Sequence, residues 1–202
     1  MRRTLHPAIT QPSLAQQAEK GWDMKSTLRS SHLDSHGRLS MVDVTEKPET
    51  PRYAAASGLL RAEPFVIAAL CDGSLEKGEA LVAARLAGIQ AAKRTGELIP
   101  LCHPVPLTQV TVHFVPCEQG IVIKAEASCI GRTGVEMEAL TAVTVAGLTL
   151  YDMAKSLSKE MCLHDIRLLE KRGGKSGTWQ YRSSAEPSPA SIADADADAD
   201  AD

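Results

Sequence analysis

The chain has very few aromatic side chains. Two Phe, three Tyr and two Trp make up 3% of its 202 residues. Any core must therefore be built from Leu, Val, Ile and Ala, and 44% hydrophobic residues supply enough of them for one sizeable domain. No apolar run approaches the ~18–20 residues of a membrane span, and no hydrophobic region with a cleavage site stands near the start. None of the five cysteines (Cys71, Cys102, Cys117, Cys129, Cys162) belongs to a CxxC pair, and the count is odd. That argues against a disulfide framework and against a zinc ribbon, and no metal ligand is expected. Reduced thiols in a cytoplasmic protein are the expectation.

Charge of one sign is also scarce where it would matter. Residues 1–40 hold six Lys/Arg and three Asp/Glu, and residues 183–202 hold six acids and no base. The total of −3 leaves the body from 41 to 182 neutral. A neutral body argues against a broad nucleic-acid face, so an anionic ligand must be held by a few focused cations. The chain thus divides into an extension (1–40), a body (41–182) and an acidic tail (183–202) that ends in Ala-Asp repeats. Both flanks lack an apolar period and are expected to be disordered.

Within the body, Met41–Val44 and Tyr53–Arg61 read as extended, and Pro64–Cys71 as a short helix ending at the Asp72-Gly73 turn. Glu79–Thr95 reads as a helix whose Val82, Leu86 and Ile89 follow helical spacing, with Gly96 as its C′ residue. Leu107–Phe114 and Ile121–Ala127 alternate as a hairpin. Thr133–Lys155 forms one long helix, and Asp165–Leu169 a last strand. The order β, α, β, β, α, β predicts an α+β fold, a ferredoxin-like sandwich with an antiparallel sheet and helices packed on one face.

Few ionisable groups interrupt these apolar segments, so each needs a reason. Glu136 completes T-x-x-E with Thr133, a capping box, unless it serves a site. Glu138 is either a solvated first-turn acid or a site carboxylate. Asp152 and Lys155, spaced i, i+3, are either a surface ion pair or an acid/base pair. Glu138 and Asp152 lie fourteen residues apart, ~40° around the helix and roughly 21 Å along it. One small ligand cannot touch both in one chain, so a site using both ends is assembled from two subunits. Ala139, Ala142, Ala146 and Gly147 would let helices approach closely, between chains or within one. His103 is structural or a hydrogen-bonding and proton-moving group. Cys102 as a nucleophile is the weaker alternative to a buried thiol. Gly173-Gly174-Lys175-Ser176-Gly177 fails as a P-loop, because Leu169 stands where its first Gly belongs. A flexible turn or a phosphate-binding nest with Lys175 remain.

Four strings, MVDVTEKPETPR (41–52), LAGIQAAKRTGELIPLCHP (86–104), TGVEMEALTAVTVAGLTLYDMAK (133–155) and RLLEKRGGKSG (167–177), resemble the molybdenum-cofactor biosynthesis protein C family in order and at length. The resemblance implies a homohexamer, a trimer of dimers with sites at dimer interfaces. It implies a lyase that converts 3′,8-cyclo-7,8-dihydroguanosine 5′-triphosphate to cyclic pyranopterin monophosphate and diphosphate. By the same resemblance Asp152, Lys77 and Lys155 are catalytic. Leu101, Cys102, His103, Met137 and Glu138 bind substrate, with Glu136, Arg52 and Lys175 in matching pocket positions. No metal ligand is implied, and whether Mg²⁺ accompanies the triphosphate is left open. The alternative is a nucleotide-binding or regulatory oligomeric module without turnover.

Overall fold

Alternation along Thr50–Arg61 builds the central strand. Ala54, Ala56, Gly58 and Leu60 are buried, while the intervening residues are only half-buried. This strand, β1, is followed by α1 (Pro64–Asp72), α2 (Ala80–Lys93) and the short α3 (Thr95–Leu98). The hairpin β2 (Leu107–Cys117) and β3 (Gly120–Gly131) comes next, then α4 (Glu136–Ala154), β4 (Cys162–Arg172) and β5 (Trp179–Gln180). The sheet order is β2-β3-β1-β4-β5, and every neighbouring pair is antiparallel. The helices pack on one face, so the chain is an α+β sandwich, and its first four strands follow the split βαβ order. Among the described residues no helix is long and apolar enough to cross a membrane.

The computed structural model describes residue 33 and residues 36–182. The acidic tail and most of residues 1–40, both expected to be disordered, lie outside the described residues. The chain divides into two compact units, Met1–Val42 and Asp43–Asp202. In the first, Leu33 and Leu39 form an isolated antiparallel bridge. The sheet and helices described above belong to the second.

The core is as poor in aromatics as the composition requires. Its largest fully buried side chains are Leu60, Leu70, Ile121, Ile123 and Leu150. Small residues let α2 and α4 pack close together. Gly88 of α2 lies against α4, where a β-carbon would stand 2.9 Å from the Ala142 carbonyl and 3.3 Å from Ala146. Gly147 lies under Leu163 and Ile123. The small-residue stripe Ala139, Ala142, Ala146 and Gly147 is thus buried within one chain.

Several sequence expectations are corrected. Val82 and Leu86 do not face the core but are 44% and 61% exposed, because α2 buries Ala80, Ala84, Gly88 and Ala91 instead. Close helix approach selects the small side over the large one. Gly96 is not a C′ residue: α2 ends at Lys93, and Gly96 falls inside α3. Met41–Val44 forms no strand. The capping box is absent, since α4 begins at Glu136 with Val135 as N-cap and no side-chain cap. Glu136 is therefore the first helical residue, and its carboxylate folds back over Gly134.

Candidate functional site

Both ends of α4 carry the side chains singled out in the sequence. At its C-terminal end Asp152 is exposed and accepts an ion pair from Lys155 Nζ at 2.6 Å. Lys77 joins them from the loop between α1 and α2, 75 residues away in sequence. Its Nζ donates to Asp152 Oδ2 at 3.1 Å and to the Asp152 backbone carbonyl at 2.7 Å. That carbonyl belongs to the last turn of α4, where helix carbonyls lack helical partners and the dipole favours a cation. The isolated i, i+3 surface pair is thus one side of a three-membered cluster.

Lys155 and then Lys77, by donating hydrogen bonds, hold the Asp152 carboxyl below its ordinary range. Asp152 in return raises the Lys155 ammonium above its ordinary range. At neutral pH the cluster is one carboxylate flanked by two ammonium groups, and its surplus is positive. Beside it opens a cleft of about 400 Å³ lined by Leu75, Lys77, Met153, Ser156 and Leu157. This end can hold an anion and place a carboxylate against it.

At the N-terminal end of α4, Glu138 is only 3% exposed. Burial pushes its pKa up to about 7, and the neighbouring Glu136 charge adds to the rise. A first-turn acid in water would show no such shift, so the solvated reading fails. Cys102, in the loop before β2, and Cys129, on β3, lie near this carboxyl. Burial first, and then the Glu138 charge, raise both thiols. A raised thiol is a poor nucleophile, which disfavours covalent chemistry at Cys102.

Glu136 faces Lys171 Nζ at 3.6 Å. Arg52 donates from Nε to the Gly131 carbonyl at 3.1 Å and from Nη2 to the Arg132 carbonyl at 3.2 Å. Arg132 in turn donates to the Thr45 carbonyl at 2.9 Å. Asp43 accepts from the Thr45 hydroxyl and amide, which lower its carboxyl, and the charge of His103 lowers it slightly further. His103 and Leu101 are half-buried in the segment between α3 and β2. Met137 is 37% exposed in the first turn of α4, and Lys175 is exposed in the glycine loop after β4.

The structure therefore groups Arg52, Cys102, Glu136 and Glu138 at one end of α4 and Lys77, Asp152 and Lys155 at the other. The two groups do not meet within one chain, as the fourteen-residue spacing predicts. Sequence reasoning missed Lys171 and Cys129. Cys129 was legible as a buried position of the alternating hairpin. Lys171 was not, because β4 slips register against β1 between Ala55 and Ala56. That slip puts Leu168, opposite Ala56, and Lys171, opposite Ala54, on one face although they are three residues apart.

Comparison with known proteins adds an independent finding. A model described as the MoaC family matches residues 41–174. A protein of Novosphingobium aromaticivorans named cyclic pyranopterin monophosphate synthase is 57% identical over 150 residues, covering 74% of this chain and 96% of its own length. A Mycobacterium tuberculosis protein named cyclic pyranopterin monophosphate synthase 1 is 54% identical over 156 residues, covering 77% and 91%. A Thermomicrobium roseum protein named cyclic pyranopterin monophosphate synthase is 53% identical over 152 residues, covering 74% and 92%.

Proposed function

The chain belongs to the MoaC family, and from that premise we propose that it is a lyase of molybdenum-cofactor biosynthesis. It converts 3′,8-cyclo-7,8-dihydroguanosine 5′-triphosphate to cyclic pyranopterin monophosphate with release of diphosphate. The observation that carries this reading is the cluster of Lys77, Asp152 and Lys155, drawn together from two elements at the edge of a cleft.

The reaction needs two kinds of group. Opening the purine five-membered ring and reclosing it as a pyrazine requires repeated proton transfers. A ribose-derived hydroxyl must then attack the α-phosphorus, lose its proton and expel diphosphate as the P–O bond to the β-phosphate breaks. That step needs cations more than a covalent nucleophile. Lys77 and Lys155 supply the cations, and Asp152, ionised and held between them, orients their protons. Lys155 rests as an ammonium, so it begins as a cation or acid and becomes a base only after giving up its proton.

Glu138 supplies the recognition. A carboxyl that changes charge near neutrality accepts hydrogen bonds from guanine-type N–H groups when ionised and donates one when neutral. Leu101, Cys102, His103 and Met137 line the same end, with Glu136, Lys171 and Lys175 around it. Residues 41–182 carry the activity.

The enzyme works in the cytoplasm as a homohexamer, a trimer of dimers whose sites lie between subunits. The separation of the two groups along α4 supports that assembly. So do the large apolar side chains exposed on the helices, among them Phe65 and Leu148. Incubation with the cyclic nucleotide triphosphate, followed by a diphosphate assay, tests the activity. Release of diphosphate with formation of the cyclic monophosphate is expected. Binding without release would identify a nucleotide-binding module instead.

A further inference from the structure

Arg52 resembles an anion-binding residue by position, yet two of the five N–H donors of its guanidinium are already committed to backbone carbonyls. Nε and Nη2 donate to the Gly131 and Arg132 carbonyls, in the segment that leads into α4. Nη1 lies flush against Gly174: a β-carbon there would overlap Nη1 and stand 2.9 Å from the guanidinium carbon. Gly173 is pressed as closely on the Pro51 carbonyl. Both glycines have positive φ, 97° and 74°. One arginine side chain thus touches the approach to α4 and the glycine loop at once.

The loop does not end there. Lys171 Nζ donates to the Ser176 hydroxyl oxygen and also faces Glu136 at 3.6 Å. Loop 173–177 therefore closes a ring: Arg52 to Gly174, Ser176 to Lys171, Lys171 to Glu136, and back through the segment that Arg52 holds. We propose that Arg52 is a positioning residue that clamps the glycine loop to the start of α4. It thereby sets Lys171 against Glu136 at the start of that helix. The functional consequence rests on the lyase reading; the clamp does not.

Glycine supplies the discriminating test. Gly174 and Gly177 both adopt left-handed backbone, at φ 74° and 61°, so alanine meets a similar backbone penalty at each. Only at Gly174 would the new methyl meet Arg52, for nothing lies within 4 Å of a β-carbon at Gly177. Gly174→Ala must push the guanidinium off its two carbonyls, whereas in an Arg52→Ala background the space is open. Amide hydrogen exchange of residues 131–136 and 173–177 is compared in the full-length wild type, Gly174→Ala, Gly177→Ala, Arg52→Ala and the Arg52→Ala/Gly174→Ala double variant.

The clamp predicts that Arg52→Ala and Gly174→Ala each speed exchange of both segments about tenfold or more, as expected for losing hydrogen bonds to a charged group. Gly177→Ala should speed only its own loop, and the double variant should exchange no faster than Arg52→Ala alone. Equal effects of the two glycine variants on residues 131–136, or additive effects in the double variant, would overturn the clamp. Diphosphate release is measured on the same samples. If the two carbonyl contacts carry the role, Arg52→Lys, which cannot donate to both carbonyls from one plane, should lower kcat/KM nearly as much as Arg52→Ala. Full rescue by lysine would show that charge alone suffices and overturn the assignment. Inactive wild type with the exchange pattern intact would refute the lyase reading and leave the clamp standing.

Discussion

At the scale of single residues, environment sets the role of each carboxylate on α4. Asp152 sits among ammonium groups and stays ionised, whereas Glu138 sits among buried apolar atoms and titrates near neutrality. Because burial raises the folded-state pKa of Glu138 to about 7, the folded chain holds this proton more tightly than the unfolded chain. The folded state therefore loses stability as pH rises from the ordinary glutamate range towards 7, and the loss is complete above that. Glu138→Gln should remove this slope. At pH 8 it should stabilise the fold by roughly 3 kcal/mol, at about 1.4 kcal/mol per tenfold, while lowering turnover. Urea unfolding at pH 5 and pH 8 checks the sign, and an unchanged difference between the two pH values would contradict it. At the other end, Lys77→Ala and Lys155→Ala should each cut diphosphate release by about a hundredfold or more, the scale of losing a group that stabilises transition-state charge. Both variants should keep the wild-type circular dichroism. Near-normal release in either one would remove that lysine from the chemistry.

At the scale of elements, the α2–α4 contact decides where everything else lies. Gly88 and the alanines around it bring the helices close, and α4 in turn covers β1 through Val143, which meets Gly58. Gly88→Val should destabilise the fold by about 1–3 kcal/mol, because the added atoms meet the Ala142 carbonyl and Val112 with no room to move. Val82→Ala, on the exposed side of the same helix, should cost less than ~1 kcal/mol. Urea midpoints of the two variants give the comparison, and the reverse order would mean that α2 packs through its large residues after all.

At the scale of the whole molecule, the length of α4 sets the argument. Two groups at opposite ends of one helix, ~21 Å apart along its axis, cannot share a small ligand in one chain. If the site is shared between subunits as proposed, a Glu138→Ala chain spoils one half of it and an Asp152→Ala chain the other. A mixed dimer then holds one doubly damaged site and one intact site. With random pairing about half of the dimers are mixed, so mixing the two inactive variants should restore up to roughly a quarter of wild-type activity. Mass spectrometry of the mixture confirms subunit exchange. Exchange without any recovery would count against a site shared between chains.

The sequence by itself determined the succession of the long strands and helices, though not the short α3 and β5, because period-2 and period-3.6 patterns are local and survive without tertiary context. It also determined the separation of Glu138 from Asp152, since helix rise is fixed, and it marked the residues whose charge had no place in apolar segments. Tertiary structure alone decided which side of α2 faces inward, because close packing rewards small atoms that periodicity counts as weak. It decided that Lys77 crosses 75 residues to Asp152, a meeting no local pattern encodes. It placed Lys171 beside Glu136 through a register slip in β4 that reverses the alternation. It also turned Glu136 from a capping residue into the first residue of its helix, because Val135, and not Thr133, stands at the N-cap.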